Sequence, residues 1–236
     1  MFAIYRREMQ SYFYTSTAYV FLGVFLTLAS IFFGVTNLAA RSSDLMAFLA
    51  ELSYLWMLLS PILTMRLLAG ERQRNTEQLL WASPCSISGI VIGKYLAACS
   101  VLLTAIICSL MYPAVILVYG ELYFAETAVG YLGLTLQGCA FIALDLFVSC
   151  FAKSQVTAVV MGIGVNLLVW MADVLASAVT IPQVSRALEF ISLYQRFAPF
   201  VRGQLSLSNV IFYLLFIAVM IFLSVRAVDA RRWSEA

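Results

Sequence analysis

The sequence has 236 residues, of which 63% are apolar and only 11% are charged. Soluble domains are about 45–50% apolar and about 25% charged, so this composition predicts a protein whose exterior also lies in an apolar phase. The 14 basic and 12 acidic residues give a net charge of +2, which does not favour nucleic-acid binding. The chain has no histidine, the usual general base and a common metal ligand, so the composition argues against an enzyme and predicts no metal site.

The N-terminal segment, residues 2–14, is too polar to lie in hydrocarbon, but its aromatic residues recur at helical spacing. This pattern predicts an amphipathic elbow helix in the membrane interface, with its charged residues toward water. The residues that we expect to hold this helix in the interface are Tyr5, Arg6, Arg7, Glu8 and Tyr12.

Six apolar runs follow, each about as long as a helix that crosses roughly 30 Å of hydrocarbon. They lie at about residues 18–40, 48–68, 95–119, 128–151, 156–179 and 207–225. With six crossings, ten of the 14 basic residues lie on the same side of the membrane as the two termini, and the other four lie on the opposite side. The positive-inside rule therefore predicts cytoplasmic termini. We expect a single all-α integral membrane domain over residues 1–236, multi-pass and in contact with lipid.

The loop between spans two and three, residues 70–93, has the densest run of polar residues in the chain. Asn75 or Thr76 can begin a short helix there, and Ser83 before Pro84 disfavours its continuation. The apolar residues of this helix, Leu79 to Trp81, need a partner surface, because a solvated loop has no reason to expose them. The pattern predicts a cytoplasmic helix that docks on another protein.

The loop between spans five and six, residues 180–206, carries apolar residues on one helical face and charged residues on another. Pro199 is expected to break this helix. The sequence therefore predicts two short re-entrant helices that are half-embedded at the outer surface.

The segment Gly89 to Lys94 has some features of a phosphate-binding loop. It has one residue too few between its glycines, and Tyr95 replaces the Ser or Thr that would hold Mg²⁺. The segment also leads into an apolar span rather than following a strand. We therefore expect no nucleotide site here and interpret Lys94 as an ordinary basic anchor at the membrane surface.

Asp145 and Asp173 are the acidic residues that lie well inside apolar spans, and acids in such positions are candidates for function. Asp145 lies near the inner end of span four, whereas Asp173 lies near the outer end of span five, so they cannot form a catalytic pair. Each is expected to face a water-filled vestibule or to form a hydrogen bond with a neighbouring helix, and a proton or substrate contact is the alternative. Asn166 of span five joins them as a candidate residue of a transport pathway.

Four strings of the sequence resemble the type-2 ABC transporter permeases, and in particular their gliding-motility-type branch. They lie at residues 5–14 (YRREMQSYFY), 65–84 (MRLLAGER, then TEQLL and SP), 200–203 (FVRG) and 225–233 (VRAVDARRW). The match runs essentially from end to end. Gly70 stands where the family usually has an acid, Asn75 where it often has Gly, and Thr17 where it usually has Pro.

The resemblance implies a membrane-spanning permease subunit that forms the translocation path of an exporter in the plasma membrane. Two such subunits, identical or homologous, would each sit above a cytoplasmic ABC ATPase. ATP and Mg²⁺ would be held by that ATPase, and this chain would bind no cofactor. The expected ATPase-coupling residues are Glu71, Arg72, Thr76, Glu77, Leu79, Leu80, Trp81 and Pro84. The residues expected to form an outer gate are Glu189, Tyr194, Arg196 and Arg202.

Two other functions fit parts of the sequence. An ion-coupled secondary transporter would use Asp145 or Asp173 as its ion site, but such proteins typically have inverted repeats, which this sequence does not show. A membrane-embedded enzyme would need acidic residues at matching depths in the membrane.

Overall fold

The computed structural model describes residues 2–74, 86–178 and 192–234, with all their side chains except those of residues 173, 176–178 and 232–234. Within these ranges the regular secondary structure is helical, and six helices are long and apolar enough to cross a membrane. The predicted fold class, an all-α membrane protein with six spans, is confirmed.

The helices are numbered here in chain order. They are α1 (Phe2–Tyr14), α2 (Thr17–Phe33, continued by a π-helix over Gly34–Ala39), α3 (Met46–Thr64), α4 (Ala69–Gln73), α5 (Ile87–Ser109), α6 (Met111–Tyr119), α7 (Phe124–Ser149), α8 (Gln155–Ala178), α9 (Leu193–Val201) and α10 (Leu207–Ser234). Span one is α2 with its π-helix, span two is α3 with α4, and span three is α5 with α6. Spans four, five and six are α7, α8 and α10. The basal end of the bundle carries α1, α4 and residues 150–155, and the distal end carries residues 40–45, 120–123 and α9.

Span four lies at the centre of the bundle. In its most apolar stretch 72% of the residues are buried, against 11% in the corresponding stretch of span six. It packs closely because glycines face its neighbours. A methyl group on Gly133 would lie 2.5 Å from Phe200 of α9, and one on Gly138 would lie 2.5 Å from Leu102 of span three. Small residues allow helices to approach closely in membranes, where no hydrophobic force brings them together.

Two prolines free backbone carbonyls inside the spans, and polar side chains of other spans bind both. Pro113 has no N–H to donate to the carbonyl of Ser109, and the hydroxyl of Tyr131 donates to that carbonyl at 3.0 Å. Pro61 likewise leaves the carbonyl of Met57 free, and Asn166 Nδ2 donates to it at 3.0 Å. Because lipid offers no hydrogen bonds, each proline depends on its partner helix.

Helix α9 runs through Pro199 without a break, so the expectation that this proline ends the helix is wrong. The side chain of Ser192 caps the helix by accepting a hydrogen bond from the backbone N–H of Gln195. Leu193, Phe197 and Phe200 are buried against the bundle. Residues 180–191 of the same loop lie outside the described residues, and the re-entrant arrangement stays a prediction.

Candidate functional site at the base of the loop between spans two and three

Four charged side chains from three helices meet at the basal end. Lys94 of α5 places its Nζ 2.8 Å from Glu71 Oε1 of α4 and 3.1 Å from Glu8 Oε1 of α1. Arg7 of α1 places its Nη2 2.6 Å from Glu71 Oε1 and 2.8 Å from Glu8 Oε1. Each cation therefore contacts both carboxylates. We call these four residues the basal ion cluster.

The basal ion cluster is largely shielded from water. The Lys94 side chain is fully buried, and those of Glu8 and Glu71 are only 11% and 14% exposed. Burial by itself would raise the pKa of Glu8, but Lys94 and Arg7 outweigh it and hold the pKa below the usual range for glutamate. Glu8 is therefore ionised at neutral pH, with both cations beside it.

The interpretation of Lys94 as an ordinary surface anchor is wrong. Helix α5 begins at Ile87, where Ser86 accepts a hydrogen bond from the backbone N–H of Gly89, about two turns before the predicted start of span three. Lys94 consequently lies inside a helix and points into the protein. Gly89 to Lys94 is helical, so its backbone does not form a phosphate-binding loop.

Helix α1 also holds the basal end of span two. The hydroxyl of Tyr12 donates to the carbonyl of Leu63 at 2.7 Å, because the backbone N–H of Leu67 bonds to Thr64 instead. Burial raises the pKa of Tyr12, so this phenol stays a neutral donor. Arg66, which follows this end of α3, donates to the hydroxyls of Thr15 and Thr17.

The remaining predicted residues of α1 have smaller roles. Tyr5 lies within hydrogen-bond distance of Ser100 of span three, with 3.0 Å between the two hydroxyl oxygens. Arg6 is exposed. Five residues were predicted to hold helix α1. Three of them, Arg7, Glu8 and Tyr12, contact the loop base or span two.

Helix α4 contacts the connection between spans four and five. Arg72 Nη1 donates to the carbonyl of Ala152 at 3.2 Å, and the backbone N–H of Gln155 donates to Gln73 Oε1 at 3.2 Å. A methyl group on Gly70 would lie 3.0 Å from the Gln155 side chain. The segment before the loop is thus fixed to α1, to span three and to this connection.

The other predicted coupling residues, Thr76, Glu77, Leu79, Leu80, Trp81 and Pro84, lie outside the described residues. Their role stays a prediction. The structure brings together Glu71 and Arg72 from that set with Arg7, Glu8 and Tyr12 from the predicted elbow. The sequence interpretation missed Lys94 and Gln155 as partners of this site, since neither carries a pattern that reveals its contacts.

The described residues predicted for the outer gate lie on or next to α9. Tyr194 stacks on Tyr54 of span two, with 5.4 Å between ring centres. Arg196 lies 3.9 Å above the ring of Phe212 of span six. Arg202 is exposed at the end of the helix, and Glu189 lies outside the described residues.

The structure joins two of the three candidate pathway residues. Asn166 Nδ2 lies 3.4 Å from Asp145 Oδ2, and Ser60 Oγ donates to the same oxygen at 2.5 Å. Asp145 therefore forms hydrogen bonds with neighbouring helices, which was one of the sequence expectations. The side chain of Asp173 lies outside the described part of the chain. Pro61 was a signal for this cluster, because the carbonyl that it frees needs a donor such as Asn166.

A family model for ABC-2 family transporter proteins matches residues 58–231. That range holds Glu71, Arg72 and Lys94 of the loop base, spans three to six, and the second half of span two. None of the curated proteins compared with the chain is significantly similar to it. The match favours the ABC-transporter prediction over the two alternatives, and the gliding-motility branch stays a prediction. The chain belongs to the ABC-2 family of transporter proteins and is an ABC transporter permease, a membrane subunit with several spans.

Proposed function

We propose that this permease is the translocating subunit of an exporter, driven by a separate cytoplasmic ATPase that docks on the loop between spans two and three. The observation that supports this role is the basal ion cluster, which joins both ends of that loop. The basal end would face the cytoplasm, in agreement with the distribution of basic residues. The export direction rests on the family resemblance.

The geometry of the loop base suits the transmission of force. Glu71 lies in α4, which precedes residues 75–85 of the loop, and Lys94 lies in α5, which follows them. Their 2.8 Å contact makes the two ends of the loop move together. Arg7 and Glu8 add α1 to the same unit, and Arg72 adds the connection between spans four and five. A push on the loop would therefore displace spans two and three as one unit. The basal ends of spans four and five would move with them.

A second permease subunit, identical or homologous, would complete the translocation path, and the partner ATPase would hold ATP and Mg²⁺. The distal residues Tyr194, Arg196 and Arg202, with Glu189, would act at the exit. The proposed location is the plasma membrane, with both termini in the cytoplasm.

Co-purification with the ATPase tests the docking role. We expect the double variant Leu79→Asp and Leu80→Asp to lose the ATPase, because docking would then bury unpaired carboxylates. The matched control, Leu79→Met and Leu80→Met, keeps the apolar surface and should keep the ATPase. Binding of the ATPase to the Asp variant at wild-type stoichiometry, with transport intact, would show that the loop does not dock it.

A further inference from the structure

Asp145 is buried inside the bundle and has an incomplete set of hydrogen-bond partners. Only 2% of the residue is exposed. Both of its hydrogen bonds, from Ser60 and from Asn166, end on Oδ2. Asp145 Oδ1 and Asn166 Oδ1 are both buried without a hydrogen-bond partner. Buried carboxylate oxygens that accept no hydrogen bond are rare in folded proteins, because nothing then stabilises the negative charge on them.

In the described part of the chain, the groups that contact Asp145 carry no positive charge. Span two contributes the Ser60 hydroxyl and Pro61, and span five contributes the Asn166 amide and Gly162, all of them neutral. The ion pairs formed among the described residues lie at the basal end and do not include Asp145. An ionised carboxylate here would be an unpaired charge within a membrane span, which is strongly unfavourable.

The packing at Asp145 distinguishes a proton from a metal cation. A methyl group on Gly162 would lie 2.8 Å from Pro61 and 3.1 Å from Asp145 Oδ1, so little space remains beside this oxygen. Hard metal cations in proteins take about six or more oxygen ligands, whereas the orphaned oxygens here are two. A proton needs no such shell and neutralises the charge.

We propose that Asp145 is a proton-binding site, with the proton on Oδ1 and with Oδ2 accepting from Ser60 and Asn166. The neutral acid then joins spans two, four and five without an unpaired charge. Pro61 contributes to the site, because the carbonyl that it frees orients the Asn166 amide. Separation of these spans would admit water and release the proton. This inference does not depend on the partner ATPase.

Infrared spectroscopy of the purified protein at neutral pH tests the site. Carboxyl-labelled ¹³C-aspartate reports on only four residues, Asp44, Asp145, Asp173 and Asp229. We expect one isotope-shifted carbonyl band of a protonated acid that moves in D₂O and is absent from Asp145→Asn. The matched control Asp44→Asn, which changes an exposed aspartate, should lose carboxylate bands only.

Three results would overturn the proposal. Carboxylate bands alone in the labelled wild type would show that Asp145 is ionised, and this readout needs no variant to fold. A protonated-acid band lost in Asp173→Asn but retained in Asp145→Asn would assign the proton elsewhere. Thermal unfolding that shifts when choline replaces Na⁺, with the shift abolished by Asp145→Asn, would indicate a metal cation. We expect the wild-type unfolding temperature to be the same in both salts.

Discussion

Lys94 and Glu71 lie on opposite sides of the loop between spans two and three, and their side chains meet at 2.8 Å. The ammonium group of Lys94 is fully buried, so it depends on Glu71 and Glu8 for all its charge compensation. Removing one partner of a buried ion pair is costlier than replacing the whole pair, because the remaining charges lose their compensation. This relationship makes the loop base sensitive to single substitutions.

We expect Lys94→Met to destabilise the protein by about 3 kcal/mol, because the neighbouring carboxylates of Glu8 and Glu71 both lose their contact with a buried cation. The value lies at the lower end for buried pairs, since both carboxylates partly reach solvent. Chemical unfolding in detergent measures it. The control is Lys153→Met, an exposed lysine at the same end of the bundle, which should change stability little. Equal effects of the two variants would contradict the cluster.

The direct coupling between Lys94 and Glu71 is measurable by a double-mutant cycle. We expect Lys94→Met combined with Glu71→Gln to be less destabilised than the sum of the single variants, by about 0.5–3 kcal/mol. The reason is that Glu71→Gln removes one of the two negative charges that lose Lys94 as a partner. The same unfolding assay on the four proteins gives the coupling energy. Additive effects would mean that the two side chains do not interact in solution.

The basal ion cluster also predicts a dependence of stability on acid. The pKa of Glu8 is lowered in the folded protein, so its ionised form stabilises the fold above the ordinary value of about 4.5. This contribution is lost as the pH falls below that value and through the lower folded-state pKa. We expect the wild type to lose more stability between about pH 6 and pH 3 than Glu8→Gln does. Parallel pH profiles of the two proteins would contradict the assigned pairing of Glu8.

The six spans could be predicted from the sequence because hydrocarbon thickness imposes a minimum length of apolar helix. The same reasoning failed at the start of span three, where Lys94 was taken as a charge that must face water. Its partner Glu8 lies 86 residues away in the chain, and no local sequence pattern indicates a contact over that separation. Long-range compensation of charge is what periodicity and hydropathy cannot predict.

The intramembrane cluster was only partly predictable for a related reason. Asp145 and Asn166 stood out as polar residues in apolar runs, but their contact depends on how spans two, four and five pack. Pro61 gave a usable signal, since a proline within a span frees a carbonyl that some other group must bind. The identity of that group, Asn166, emerges only from the three-dimensional arrangement.

The last prediction separates force transmission from docking. Lys94→Met leaves the apolar residues of the loop, Leu79 to Trp81, unchanged, so we expect the ATPase to co-purify with this variant as with the wild type. The two ends of the loop are no longer held together, and movement of the loop should bend its base rather than displace spans two and three. Transport should therefore fall by about tenfold or more, as expected when about 1.4 kcal/mol or more of coupling is lost, while ATP hydrolysis continues.

Transport and hydrolysis are measured together in proteoliposomes, with Lys153→Met as the control. Loss of ATPase binding would instead show that the cluster holds the loop in its docking conformation, and a proportional fall of both activities would show that the cluster does not transmit force.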